Sequence, residues 1–267
     1  SLISLTPIAF DFGSGDYVVT LNGGANKIAD MEGNQMAEHS FGIDIDTSVQ
    51  VVSFQQGVSG YNGTVDTTID QGAPNEDLST ETSLNIDNDS PGGSGNAVQS
   101  LLRFENLFGP SNGQIPTSAT IFSATLYLDV SNAGSALELH RMLVNWNDTD
   151  TWNSLINGLS DDDLEASAFH DVLTGAVTTG VLELDVLQSL QAWQVDPLLN
   201  RGWAILPTGG NGIDFDSAEG AVAPRLEVQF SDDSNPDPDP DPDPLPSPGI
   251  TLSLIDNETS EAGGTAL

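Results

Sequence analysis

Side chains able to act as ligands, acids or nucleophiles are supplied very unevenly: 40 Asp and Glu, 3 His and no Cys. Carboxylate pairs are so common that their presence alone does not indicate glycoside hydrolysis, which needs two at a set separation. His39, His140 and His170 stand far apart in the chain. They show neither the His-Glu-x-x-His nor the His-x-His spacing that would place ligands on one face of an element. Thr208-Gly-Gly-Asn-Gly212 contains no lysine and opens no helix, so it is a turn and not a phosphate-binding loop. No Gly-x-Ser-x-Gly elbow occurs either, and Gly92-Gly-Ser-Gly95 is an ordinary flexible loop. Without cysteine there is no thiolate nucleophile, disulfide or zinc–thiolate centre. The residues read as those of a protein that is not an enzyme.

Two kinds of binding chemistry remain. Asp87-Asn-Asp-Ser-Pro-Gly92 spaces oxygen donors two residues apart before a glycine turn, which suits Ca2+ held by Asp87 and Asp89. It is not an EF-hand, since Pro91 and Val98 stand where that loop needs ligands. It reads equally well as a solvated acidic turn. Asp214, Asp216 and Glu219 form a weaker version of the same pattern. The second chemistry is sugar stacking on aromatic rings. Trp146 and Trp152 flank the polar stretch Asn147-Asp-Thr-Asp-Thr151, with His140 and Arg141 at the end of the preceding strand. These four are the candidate polysaccharide site if the rings face solvent. If the loop folds back, they are core. Trp193 and Trp203 read as core in either case.

The elements that would position these residues are strands. Period-two patterning between Gly, Asn, Asp and Pro turns marks Val49–Phe54, Thr64–Ile69, Ser83–Ile86, Val98–Phe104, Thr120–Val130, Leu137–Leu143, Val181–Leu184, Gly202–Leu206 and Arg225–Phe230. In the longest, Phe122, Ala124, Leu126, Leu128 and Val130 form the apolar face. One short helix is expected from Asp185 to Val195, with Asp185 as N-cap and Val186, Leu190 and Trp193 on one side. Many strands and one helix give an all-β, jelly-roll-like antiparallel β-sandwich.

The charge limits the partners. Five Lys and Arg leave a formal net charge of −35, which repels nucleic acid and anionic membrane surfaces. No apolar run reaches the ~20 residues of a membrane-spanning helix, so membrane insertion is not expected. Arg103, Arg141, Arg201 and Arg225 are few partners for an anionic glycan, which would need bridging calcium, and a neutral polysaccharide suits the surface better. Arg103 itself, inside a strand, reads as a paired structural arginine.

Asn235-Pro-Asp-Pro-Asp-Pro-Asp-Pro-Asp-Pro244 is a stiff extended spacer, so residues 232–248 read as a linker to a further domain. Residues 249–267 open like a new β domain and resemble the start of Calx-β-type domains, by Gly249-Ile-Thr-Leu-Ser-Leu-Ile-Asp256. Residues 1–46 give short strands at Ala9–Phe12, Tyr17–Leu21 and Phe41–Ile45. With Asp30-Met-Glu-Gly-Asn34 before the last strand, they resemble the end of a bacterial Ig-like domain. The body, residues 49–231, resembles the DNRLRE family, grouped with disaggregatase-related and family 96 carbohydrate-binding modules. The resemblance rests on Phe54-Gln-Gln-Gly-Val-Ser-Gly-Tyr61, Leu101-Leu-Arg-Phe-Glu105, Gln114-Ile-Pro-Thr117, Trp146 with Thr151-Trp-Asn153, Leu190-Gln-Ala-Trp193, Gly202-Trp203 and Pro224-Arg-Leu-Glu-Val228. It implies a jelly-roll module of secreted or cell-surface multi-domain proteins, with covalently linked neighbours, some members binding polysaccharide. The expected role is therefore a non-catalytic carbohydrate-binding or spacer module. The alternatives are a ligand-free accessory of an upstream hydrolase, lyase or phosphoesterase, or the stalk of an adhesin.

Overall fold

The structure, a computed structural model, describes residues 15–21, 39–45 and 49–231. The described residues fall into two units, 15–21 with 39–45 in the first and 49–231 in the second. In the first unit, β1 (Gly15–Leu21) and β2 (His39–Ile45) pair antiparallel, with Gly15 opposite Ile45 and Leu21 opposite His39. The strand expected at Ala9–Phe12, the linker at 232–248 and the domain start at 249–267 lie outside the described residues.

The second unit is a β-sandwich. Its strands are β3 (Val49–Gln55), β4 (Thr64–Asp70), β5 (Ser83–Ile86), β6 (Val98–Phe104), β7 (Thr120–Asn132), β8 (Leu137–Met142), β9 (Ala166–Leu173), β10 (Gly180–Asp185), β11 (Trp203–Pro207), β12 (Ile213–Asp216) and β13 (Arg225–Ser231). A six-stranded sheet runs β3-β13-β7-β12-β5, with β10 also on β7. A five-stranded sheet runs β4-β6-β11-β8-β9. From β3 to β8 every connection crosses from one sheet to the other. That alternation is the jelly-roll pattern, and it puts the apolar face of each strand against the opposite sheet.

Two expected details differ. In β7 the apolar face begins at Ile121, while Phe122 is half exposed. The register against β13 shifts at Gln229/Phe230, and this bulge turns the first residues of β7 over. Two strands, β9 and β12, were not apparent from the sequence. β9 lies at a sheet edge, its apolar residues do not alternate, and Phe169 faces solvent. β12, Ile213-Asp-Phe-Asp216, is acidic at alternate positions because only Ile213 and Phe215 face the core.

The helix α1 (Leu187–Val195) covers one end of the sandwich, as expected, although it starts two residues late. The N-cap is Val186, without a side-chain cap, and not Asp185 as expected; Asp185 sits one residue earlier and accepts a hydrogen bond from the Leu187 amide at 3.0 Å. Leu190 and Trp193 are buried, and the Trp193 and Trp203 rings lie 4.7 Å apart. No helix among the described residues is long and apolar enough to cross a membrane.

Candidate functional site

The residues expected to stack on sugar do not form a surface. Between β8 and β9 the chain runs from 143 to 165 without a strand or helix and folds back over the outer face of the five-stranded sheet. It seats Trp146, Trp152, Leu155 and Leu159 against Ile69, Leu101, Met142, Ala204 and Leu206, a second hydrophobic cluster. Trp146 is 2% exposed and Trp152 is 8% exposed. The Trp146 indole donates to the Arg201 carbonyl at 2.7 Å. The Arg103 guanidinium lies 4.7 Å from the Trp146 ring centroid, donates to the Trp146 carbonyl at 3.1 Å and pairs with Glu105 at 2.8 Å. Arg103 is thus a structural arginine that holds the loop down. The expectation that Trp146 and Trp152 present stacking faces is corrected: both rings are interior, because the loop that carries them has an apolar sheet face to cover.

His140 and Arg141 separate for a simpler reason. Adjacent strand residues point to opposite faces. Arg141 is opposite Trp203 on the inner side, and its Nε lies 3.2 Å from Asp171 Oδ2, a charge contact without hydrogen-bond alignment. Asp171 also accepts from Ser189 Oγ at 2.7 Å, and Ser189 Oγ accepts from the Trp203 indole at 2.9 Å. This polar chain anchors α1 to the sheet. His140, opposite Ala204, points to the outer side. The four residues therefore do not converge, which corrects the expected polysaccharide site.

What the fold does bring together is a set of residues the sequence spacing does not reveal. His140 and His170 are cross-strand partners on β8 and β9, with ring centroids 6.0 Å apart. The pairing steps from Leu139–Val172 to His140–His170, so Asp171 is an extra residue on β9. That irregularity sends Asp171 inward to Arg141 and leaves His170 beside His140 outside. Glu138, two residues before His140 on the same face, places Oε2 3.5 Å from His140 Nε2 and Oε1 3.8 Å from His170 Nδ1. Asp161, near the end of the covering loop, completes the group: ligand atoms of Glu138, His140 and Asp161 all lie within 4.8 Å of one another. The available sequence signal was Glu138-x-His140 within a strand, a spacing that guarantees one face. The partner strand carrying His170 was the missing piece.

The two aspartates expected to bind calcium are arranged differently. Asp89 accepts from the Gly93 and Gly95 amides, each at 2.7 Å, and Asp87 accepts from the Asp89 amide at 2.9 Å. The Gly93 amide, then that of Gly95, holds the Asp89 carboxyl below its ordinary range. The loop's own N–H groups thus supply the positive partners that a cation would otherwise provide. Asp214 accepts from the Asn85 side chain, and Asp216 from the Val222 amide at 2.7 Å.

A further acid stands apart. Asp66 on β4 is buried, accepts from the Ala218 amide at 2.8 Å and faces Glu219. Burial, opposed by that amide and reinforced by Glu219, raises its carboxyl to about 7. The hollow bounded by Gln50, Asn112, Gln114 and Thr117 is lined by neutral residues only. It offers amides and hydroxyls for binding and no acid or base. Against models of known protein families and against curated proteins, the chain gives no match.

Proposed function

We propose that residues 49–231 form a non-catalytic module of a longer secreted or cell-surface protein, attached from one side and not threaded in line. The observation that carries this reading is the register of the first and last strands. Val49 of β3 is the direct partner of Ser231 of β13. Partners in an antiparallel pair have Cα atoms only ~4.5–5.5 Å apart, so the chain enters and leaves the sandwich at one point. A stalk needs entry and exit at opposite ends. The 13-residue β7 spans about 40 Å at ~3.3 Å per residue, and the attachment uses almost none of that length. The geometry favours a suspended DNRLRE-like binding or accessory module over a spacer. A neutral glycan held by amide and hydroxyl groups is the ligand class that suits the −35 charge.

The absence of cysteine makes the test direct, because labels can be placed at two introduced thiols alone. With donor and acceptor dyes at Ser48→Cys and Ser234→Cys, the folded protein should show near-complete energy transfer. Transfer corresponding to a separation of ~40 Å would reject the side-on attachment. Retention on neutral polysaccharide columns, compared with anionic ones, tests the ligand class separately.

A further inference from the structure

We propose that Glu138, His140 and Asp161 form a binding site for one divalent transition-metal ion of the zinc class, clamping the 143–165 loop to the sheet. The argument begins with the hydrogen on the imidazole. His140 Nδ1 lies 2.7 Å from the Ser167 carbonyl oxygen. A carbonyl can only accept, so Nδ1 carries the hydrogen, and Nε2 is the nitrogen whose lone pair a metal ion can take. This is the arrangement in which a backbone carbonyl fixes the tautomer of a ligating histidine.

That lone pair belongs to a side chain 1% exposed, and it faces two carboxylates. One imidazole nitrogen and two carboxylates converging within 4.8 Å of one another make a ligand set that suits a cation. The donor types indicate which one, and the one short spacing is compatible with it. Ligands bound at ~2.0–2.1 Å in a tetrahedral site stand about 3.3 Å apart. The 3.5 Å from His140 Nε2 to Glu138 Oε2 is close to that edge. It is long for a shared proton, since a charged N–H to carboxylate bond is ~2.7–2.9 Å. An imidazole with two carboxylates selects a borderline ion such as zinc or cobalt, and not the all-oxygen shell that calcium takes. His170, whose Nδ1 stands 3.8 Å from Glu138 Oε1, flanks the other oxygen of that carboxylate.

The ion would join two parts of the chain of different origin. Glu138 and His140 come from β8, while Asp161 belongs to the segment that lays Trp146 and Trp152 over Met142 and the sheet. Binding should therefore stabilise the covering loop as well as register on the ligands.

Cobalt(II) titrated into the full chain in excess calcium tests the site, the calcium saturating the general attraction of an acidic surface. One ion per chain with the intense visible bands of low coordination is expected, together with slowed amide exchange in residues 143–165. Asp161→Asn and Glu138→Gln should each weaken binding at least ~tenfold. Asp161 is exposed, so its variant tests the ligand without threatening the fold. Cobalt that stays in its pale six-coordinate form, or binds equally to both variants, overturns the proposal.

Discussion

The sandwich has two hydrophobic clusters built on opposite faces of one sheet, and they are held by different means. The inner one lies between the sheets, where Leu126, Leu128, Trp203, Phe215 and Leu226 come from regular strands whose backbone groups pair with each other. The outer one is closed by a loop that has no ladder of its own. Its backbone is tied instead by single bonds, such as Leu159 to Gln99 Oε1 at 2.8 Å and Asn153 to the Pro74 carbonyl at 2.9 Å. Burial is comparable, since Trp146 and Trp203 are both almost wholly enclosed. What differs is how many independent contacts must fail together, so the roof should open locally while the inner layer yields only on global unfolding.

The largest expected effect is in the inner layer. Trp203→Ala removes a ring packed on Trp193 and strips Ser189 of its indole donor. It should cost ~3–5 kcal/mol in a single cooperative transition. Denaturant unfolding that changed only in part of the molecule would break the distinction drawn between the two layers.

Trp146→Ala should cost about 3 kcal/mol, the low end of the same range, because solvent can enter beneath a loop more readily than between sheets. Arg103 would then lose its ring while keeping Glu105. Hydrogen exchange should rise in residues 143–165 with β7 and β13 still protected. Equal loss of protection in both regions would show the roof to be continuous with the core.

Gly158 sharpens the picture at one residue. Its φ is 90°, and a Cβ there would come within 2.6 Å of the Trp152 ring. Gly158→Ala combines left-handed backbone strain with a ring displacement, for an expected loss of about 2 kcal/mol. The melting temperature of this variant, compared with wild type, checks it; an unchanged value would mean that the roof adapts freely.

The smallest single effect concerns the edge where β4 meets the turn after β12. Asp66 keeps its proton in the folded protein up to about pH 7, whereas in the unfolded chain it ionises near the ordinary 3.8. Between those values the folded state binds more protons, so stability falls as pH rises through the window. Asp66→Asn keeps an acceptor for the Ala218 amide and should gain about 1 kcal/mol at pH 8 while flattening the profile between pH 4 and 7. A profile in that window identical to wild type would remove Asp66 as its source.

The same contrast explains what the sequence discloses. Strands of the inner layer alternate because both of their faces have fixed environments, and nearly all of them can be read directly. The roof leaves no such period: Trp146, Trp152, Leu155 and Leu159 are spaced irregularly in a polar stretch, and only their burial shows that they belong together. The cluster at Glu138, His140 and Asp161 was hidden for a related reason. Its pieces meet through the return of the loop onto β8, a tertiary fact, while the neighbouring His170 lies on β9, which was obscured by its exposed edge position and the extra residue Asp171.

The adjacency of Val49 and Ser231 also has a mechanical meaning. Tension along the parent polypeptide would act on the two strands at the same end, so the β3–β13 ladder would peel one hydrogen bond at a time instead of shearing as a block. Such unzipping resists little force. Opening would release a contour of roughly 600 Å, at ~3.3–3.6 Å per residue over the freed segment. Pulled apart at those two ends, the sandwich would yield and lengthen at low force.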